Sequence, residues 1–163
     1  MSETARNETL LDEEDSQRDK YLTFVVDGDT YGIEIRYVTE IIGLQKITPV
    51  PDMPAFVRGI INLRGKIIPV MDMRVRFNKP FREYMERTCI IVVDIRNLSI
   101  GLIVDSVAEV VNIPAGAVAP PPELTRRGNR FIMGIGQAAG EVKLLLDCEK
   151  LLTEEETEQL LTS

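Results

Sequence analysis

Gly59, Gly65 and Asp72 recur with unchanged spacing as Gly134, Gly140 and Asp147. Three matches in the same order point to an internal duplication, and a duplication constrains folding more than any local pattern: whatever the first copy builds, the second must build too. Further stretches extend the repeat. Residues 21–27 align with 88–94, and 32–42 with 101–111, with glycine, valine and glutamate at equal places in an apolar frame. Both copies then enter proline-bearing loops, 48–54 and 119–122. The repeat length is roughly 70 residues.

Each copy reads as short strands separated by turns. Residues 21–26 and 30–35 flank Asp27-Gly28-Asp29, and 88–95 and 99–104 flank Arg96-Asn97. The run 59–72 places two apolar segments around Asn62-Leu63-Arg64-Gly65, a hairpin in which Gly65 supplies the positive φ of the turn. A unit of about five short strands leaves bare edges unless it curls up. The expected fold is therefore mainly β: two small, partly open five-stranded β-barrels packed together, with a groove at their junction. Residues 1–19 form a flexible acidic tail, 20–87 the first barrel, 88–152 the second, and 153–163 a short C-terminal helix covering one barrel. Thr153 is the expected N-cap, with Glu154, Glu155 and Glu156 favouring the positive helix end.

The duplication also separates folding from function. Asn62-Leu63-Arg64-Gly65 corresponds to Gln137-Ala138-Ala139-Gly140. The turn glycine persists while the arginine becomes alanine, so Arg64 is not needed to make the hairpin and is a candidate contact at its tip. Glu40 is retained as Glu109, leaving a structural role and a contact role equally open, and Val38 and Val107 read as core on chemistry alone. Ile42 extends a partner patch if exposed and belongs to the core if buried.

Several function classes are excluded. The chain has no histidine, which removes the commonest general base and metal ligand. Gly134-Ile135-Gly136 lacks the third glycine of a dinucleotide loop. A carboxylate-dependent enzymatic or small-molecule-binding barrel stays as the alternative from another class, although Asp72 and Asp147 at repeated strand ends suit a structural role. The net charge of −7 resides largely in the tails: residues 1–19 hold seven acids against Arg6 and Arg18, and Glu154, Glu155, Glu156 and Glu158 follow at the other end. Residues 58–87 carry eight Lys/Arg, a local basic region suited to an acidic protein surface. Without interleaved aromatics, and with acidic tails, nucleic acid is not an expected partner. No apolar run approaches the ~20 residues of a membrane span, and the acidic, polar start is no secretory signal, so a cytoplasmic protein without direct membrane insertion is expected. Cys89 and Cys148 are read as buried reduced thiols.

Tyr31-Gly32-Ile33-Glu34-Ile35, Val38-Thr39-Glu40-Ile41, the run from Pro54 to Gly65 and the stretch from Leu144 to Leu152 together resemble the CheW family of bacterial chemotaxis coupling proteins. The likeness runs from about Tyr21 to Leu161. It implies two SH3-like barrels and an adaptor without catalytic activity or cofactor, joining chemoreceptor cytoplasmic tips to the histidine kinase CheA in arrays at the inner membrane. By analogy, Val38, Glu40, Gly59 and Arg64 are the receptor-binding residues: Val38 lines a groove, Gly59 admits the receptor helix, and Glu40 and Arg64 make polar contacts at the edge. Ile41, Gly43 and Val107 correspond to positions associated with kinase coupling through the CheA regulatory domain. Ring or lattice contacts with other CheW-like domains also follow from the likeness. A CheW-like adaptor of a non-motility chemosensory pathway is an equally admissible member. The 136–141 loop and the Pro120-Pro121-Pro122 run are locally distinctive.

Overall fold

Two-residue turns with both residues in the left-handed region lay down three antiparallel hairpins. β1 (Lys20–Val26) and β2 (Asp29–Glu34) join at Asp27-Gly28, β4 (Val57–Leu63) and β5 (Lys66–Asp72) at Arg64-Gly65, and β6 (Cys89–Ile95) and β7 (Leu98–Val104) at Arg96-Asn97. Such turns match the twist of the strands they connect. β3 (Val38–Gly43), β8 (Ser106–Asn112), β9 (Val118–Ala119), β10 (Ile132–Ala138) and β11 (Glu141–Leu146) complete the set. The computed structural model describes residues 17–121, 130–138 and 140–161. Most of the expected acidic tail (1–16), Pro122 of the proline run, Ala139 of the second turn and residues 162–163 of the expected helix lie outside the described residues.

The strands form two sheets, ordered β3-β6-β7-β5-β4 and β8-β1-β2-β11-β10-β9. Each curls so that the segment after its edge strand returns to the opposite edge. Thr48 bridges Ile60 of β4 in the first, and β9 pairs with β10 in the second. The result is two SH3-like barrels, one five-stranded and one with a two-residue sixth strand.

The barrels do not divide at residues 87/88. β6 and β7, from the second repeat, complete the first barrel, and β1 and β2, from the first repeat, complete the second. The exchange is reciprocal and uses one register: Val70 lies beside Gly101 in a parallel pair, and Leu145 lies beside Gly32 in the other. Because the two leading hairpins are interchangeable in shape, swapping them preserves every local pairing and ties the barrels together.

The expected alignment of 21–27 with 88–94 is two residues out of step. Turns at Asp27-Gly28 and Arg96-Asn97 make Val26 equivalent to Ile95 and Phe24 equivalent to Val93. A slip of two residues keeps every side chain on its own face, so hydrophobic alternation cannot detect it; the turn fixes the register.

The largest apolar cluster lies between the barrels, not inside either. It includes Phe24, Tyr31, Ile33, Met71, Ile91, Val93, Leu102 and Leu146. The first barrel's interior is aliphatic (Ile61, Ile68, Val70, Ile90, Val92, Ile103), while the second is smaller and centred on Tyr21, Ile113 and Leu145. Lys143 and Thr23, both buried, stand there in the repeat positions of Ile68 and Val92.

Asp72 and Asp147 are helix caps. Asp72 Oδ1 accepts from the Arg74 and Val75 N–H groups at the helix Met73–Arg76, and Asp147 Oδ1 accepts from Glu149 N–H at the 3-10 turn Cys148–Leu151. The C-terminal helix spans Glu154–Leu161, and Thr153 and Glu156 form a reciprocal capping box. This helix does not sit on one barrel: its Leu160 enters the central cluster shared by both. Cys148 is buried, its thiol pushed up to about 12 by burial, whereas Cys89 at the start of β6 is only half-buried.

Half of the expected basic region, four of its eight Lys/Arg, is paired with acids of the same chain. Arg74 pairs with Asp27 and Asp105, Arg76 with Glu156, Lys79 with Asp27 and Asp29, and Arg64 with Glu40. Folding thus uses these four charges to hold segments together, while Arg58, Lys66, Arg82 and Arg87 stay exposed. The Lys79 hydrogen bond, with Arg74, holds the Asp27 carboxyl below the usual range. Burial pushes Glu156 up, but the Thr153 N–H and the Arg76 guanidinium outweigh it and hold that carboxyl low as well. Folded values below the unfolded ones (about 3.9 for Asp and 4.3 for Glu) mean stability that is present above the unfolded pKa and lost as pH falls through the folded one. The expected result is a thermal midpoint by circular dichroism that is flat near neutrality and falls below about pH 4, with a shallower fall in Glu156→Gln.

Candidate functional site

β3 is an edge strand, and its geometry is set by a bulge. Val38 pairs with Val93 but Glu40 with Val92, leaving Thr39 as the extra residue. The Thr39 hydroxyl donates to the Val92 carbonyl at 3.1 Å, pinning the bulge. The extra residue divides the strand by face. Val38 packs half-buried against the central cluster, whereas Glu40 and Ile42 sit opposite Val92 and Ile90, which belong to the first barrel's interior. Ile42 is accordingly partly buried, packed against that interior. The bulge turns Val38 and Glu40 to opposite faces of the strand. Ile41, on the Val38 side, remains 45% exposed, and the adjacent Leu44, which the sequence did not single out, is also exposed.

Glu40 and Arg64 do meet. Arg64 Nη2 donates to Glu40 Oε2, linking β3 at one end of the sheet order to the β4–β5 turn near the other. The pair spans the seam at which the sheet closes on itself. It is exposed, with 70% of the Arg64 side chain accessible and 32% of the Glu40 side chain. An exposed ion pair contributes about 0–1 kcal/mol, so a partner can share or replace it at little cost. The second barrel lacks the clamp: among the described residues Glu109 makes no ion pair, and its N–H and carbonyl are held instead by the Thr23 hydroxyl.

Gly59 is packed against its own chain. It is buried with φ +146°, and a Cβ placed on it would lie 2.2 Å from the Thr48 carbonyl oxygen. The chain that approaches this glycine closely is its own returning loop, and the same holds at Gly134, where Val118 and Ala119 cross. Gly43 is the reverse case: it is exposed, and its Cβ position has nothing within 4 Å. Val107 lies on β8 of the other barrel, half-buried against the central cluster, apart from Ile41 and Gly43 on β3.

A cleft of about 610 Å³ opens between the segment 82–88 and the end of β7, with Asp72 and Asp105 in its lining. Both acids are committed. Asp72 caps the short helix and accepts the Tyr84 hydroxyl at 2.8 Å, and Asp105 accepts from Arg74 and from the Asp27 N–H. Asp105 thereby ties the second repeat to the first, whereas Asp72 serves within its own repeat, and neither carboxylate is left without partners in the cleft.

Comparison with known proteins agrees with this geometry. The family described as CheW-like domain matches residues 20–156. The chain belongs to the CheW-like family. It is 35% identical over 138 residues to the chemotaxis protein CheW of Klebsiella aerogenes, covering 84% of this chain and 83% of that one. It is 31% identical over 146 residues to the chemotaxis protein CheW of Treponema pallidum, with 85% of each covered. The crystal structure of the scaffolding protein TtCheW from Thermoanaerobacter tengcongensis superposes with a TM-score of 0.78 at 36% identity, covering 85% of this chain and 94% of that one. Membership in this family makes the chain a chemotaxis-type scaffold or adaptor. Among the described residues no helix is long and apolar enough to cross a membrane.

Proposed function

We propose that the protein couples the cytoplasmic tips of chemoreceptors to the histidine kinase CheA, acting without catalysis, metal or cofactor, in the cytoplasm beneath membrane-bound arrays. The observation that carries this reading is the exposed Glu40–Arg64 pair at the seam of the first barrel. The fold supplies this turn twice but the arginine once, and the pair costs little to open. Glu40 and Arg64 are the polar receptor contacts, with Val38 contributing from the other face of β3, where it is half-buried. Ile41 and Gly43, exposed on that strand, form the kinase-coupling edge, and Val107 acts from the second barrel by holding β8 against the shared core. Receptor and kinase bound together let the state of one shift the equilibrium of the other.

The test mixes the full chain with a receptor signalling fragment and CheA and reads co-sedimentation and kinase activity. A ternary complex with altered kinase activity is expected. Arg64→Glu sets a second carboxylate against Glu40, and its affinity for the receptor fragment should fall about 30-fold or more while its CheA affinity and thermal midpoint stay unchanged. Failure to bind either partner would overturn the adaptor role. Unchanged receptor affinity in Arg64→Glu would remove Arg64 from the contact.

A further inference from the structure

The turn that presents Arg64 carries a device that the hairpin alone does not explain. In a two-residue hairpin turn the second residue's N–H has no partner in the strand ladder. Here Leu63 pairs with Lys66, and the N–H so exposed belongs to Gly65. Asn62 accepts it, Oδ1 lying 2.8 Å from the Gly65 nitrogen. The bridge encloses Leu63 and Arg64, and Arg64 is held at φ +53°. The left-handed region costs a residue with a Cβ roughly 1 kcal/mol or more, so a free turn would spend part of its time elsewhere. An Asn side chain bonding to backbone a few residues on offsets that cost and narrows the turn's conformations.

We propose that Asn62 is a positioning residue for Arg64: by capping the Gly65 N–H it fixes the turn so that the guanidinium faces Glu40 and the receptor, and it makes no receptor contact of its own. The proposal rests on the reading of Arg64 as a receptor contact. The second repeat serves as an internal control. Its turn keeps Gly140, again at positive φ, but has Gln137 in place of Asn62 and Ala139 in place of Arg64. A glutamine side chain is one methylene longer and less suited to the short local bridge. The hairpin still forms, with Ala138 paired to Glu141. Asparagine and arginine are therefore absent together from a turn of the same frame, as expected when the asparagine serves the arginine and not the hairpin.

The test is a double-mutant cycle on the full chain. Asn62→Ala should weaken receptor-fragment binding about five- to tenfold in the wild-type background and by less than about 1.5-fold in an Arg64→Ala background, because the two act as one unit. Asn62→Asp, which keeps the acceptor oxygen, should restore affinity to within about twofold of wild type. CheA affinity should stay level throughout, and the thermal midpoint should fall by no more than about 4 °C in Asn62→Ala. A second readout needs no receptor: the Arg64 Nε–H resonance should shift on Glu40→Gln, and that shift should shrink once Asn62 is alanine. An equal loss from Asn62→Ala in both backgrounds would overturn the proposal by making Asn62 a contact itself. No loss in either, with Arg64→Ala still harmful, would overturn it too. If Arg64→Ala leaves receptor affinity intact, the functional reading fails instead, and the resonance shift alone decides whether Asn62 positions Arg64.

Discussion

Replacing Arg76 by alanine is expected to lower the unfolding free energy by about 3–5 kcal/mol, the range for breaking a buried ion pair from one side. The Arg76 side chain is only 6% exposed. It donates from Nη1 and Nη2 to the two oxygens of Glu156, at 3.0 and 2.8 Å, and from Nε to the Leu151 carbonyl at 2.8 Å. Its guanidinium carbon also lies 4.1 Å from the Phe56 ring centroid and 4.9 Å from that of Phe131. Those two phenylalanines are repeat equivalents: their carbonyls accept from the equivalent Asp72 and Asp147 N–H groups. One cation thus pins the C-terminal helix to the junction of both copies. Alanine would leave the Leu151 carbonyl and the Glu156 carboxylate without their partner and open a void between two rings. Urea unfolding followed by circular dichroism should show a lower midpoint with unchanged slope. The pair Arg76→Met with Glu156→Gln, which removes both charges and keeps volume, should recover much of the loss. A fall below about 1 kcal/mol in Arg76→Ala would show that the helix is held by Leu160 and its neighbours alone.

Much of this architecture was legible in the sequence because the chain states it twice. Two copies of Gly59, Gly65 and Asp72 at fixed spacing, with two-residue turns, specify strands, hairpins and caps through local chemistry. The exchange of leading hairpins was not legible. Each hairpin satisfies the same register in either barrel, so the choice is decided by packing across the central cluster, between residues as distant as Phe24 and Leu146. The two-residue slip in the repeat alignment has a related cause, since alternation is blind to even shifts. At the candidate site, Arg64 was singled out by comparing the copies, and Glu40 proved to be its partner. The bulge at Thr39 was hidden: no residue type marks it, and it alone parts Val38 from Glu40. The charge count overstated the basic region, because a tally along the chain says nothing of Asp27, Asp105 or Glu156 folding back onto Arg74, Arg76 and Lys79.

Two glycines named together as contact positions are expected to behave in opposite ways. Gly59→Ala should destabilise the fold by about 3–5 kcal/mol, combining left-handed backbone strain with an overpacking clash. The clash is with backbone, since the added Cβ would lie 2.2 Å from the Thr48 oxygen and 2.8 Å from its carbonyl carbon, and no side-chain rotation can relieve it. Relief requires moving the 44–50 segment, which breaks the Thr48–Ile60 bridge and opens the seam that Glu40 and Arg64 span. Receptor binding should therefore fail in Gly59→Ala together with the thermal midpoint, and backbone amide exchange should rise at Thr48 and Ile60. Gly43→Ala meets open space and should leave stability within about 0.5 kcal/mol, as surface substitutions do. Any loss of CheA affinity in Gly43→Ala would then report a partner surface pressed against β3. A Gly59→Ala protein of unchanged stability that had lost only receptor binding would instead return Gly59 to the interface, and would mean that the 44–50 loop gives way far more readily than its paired backbone implies.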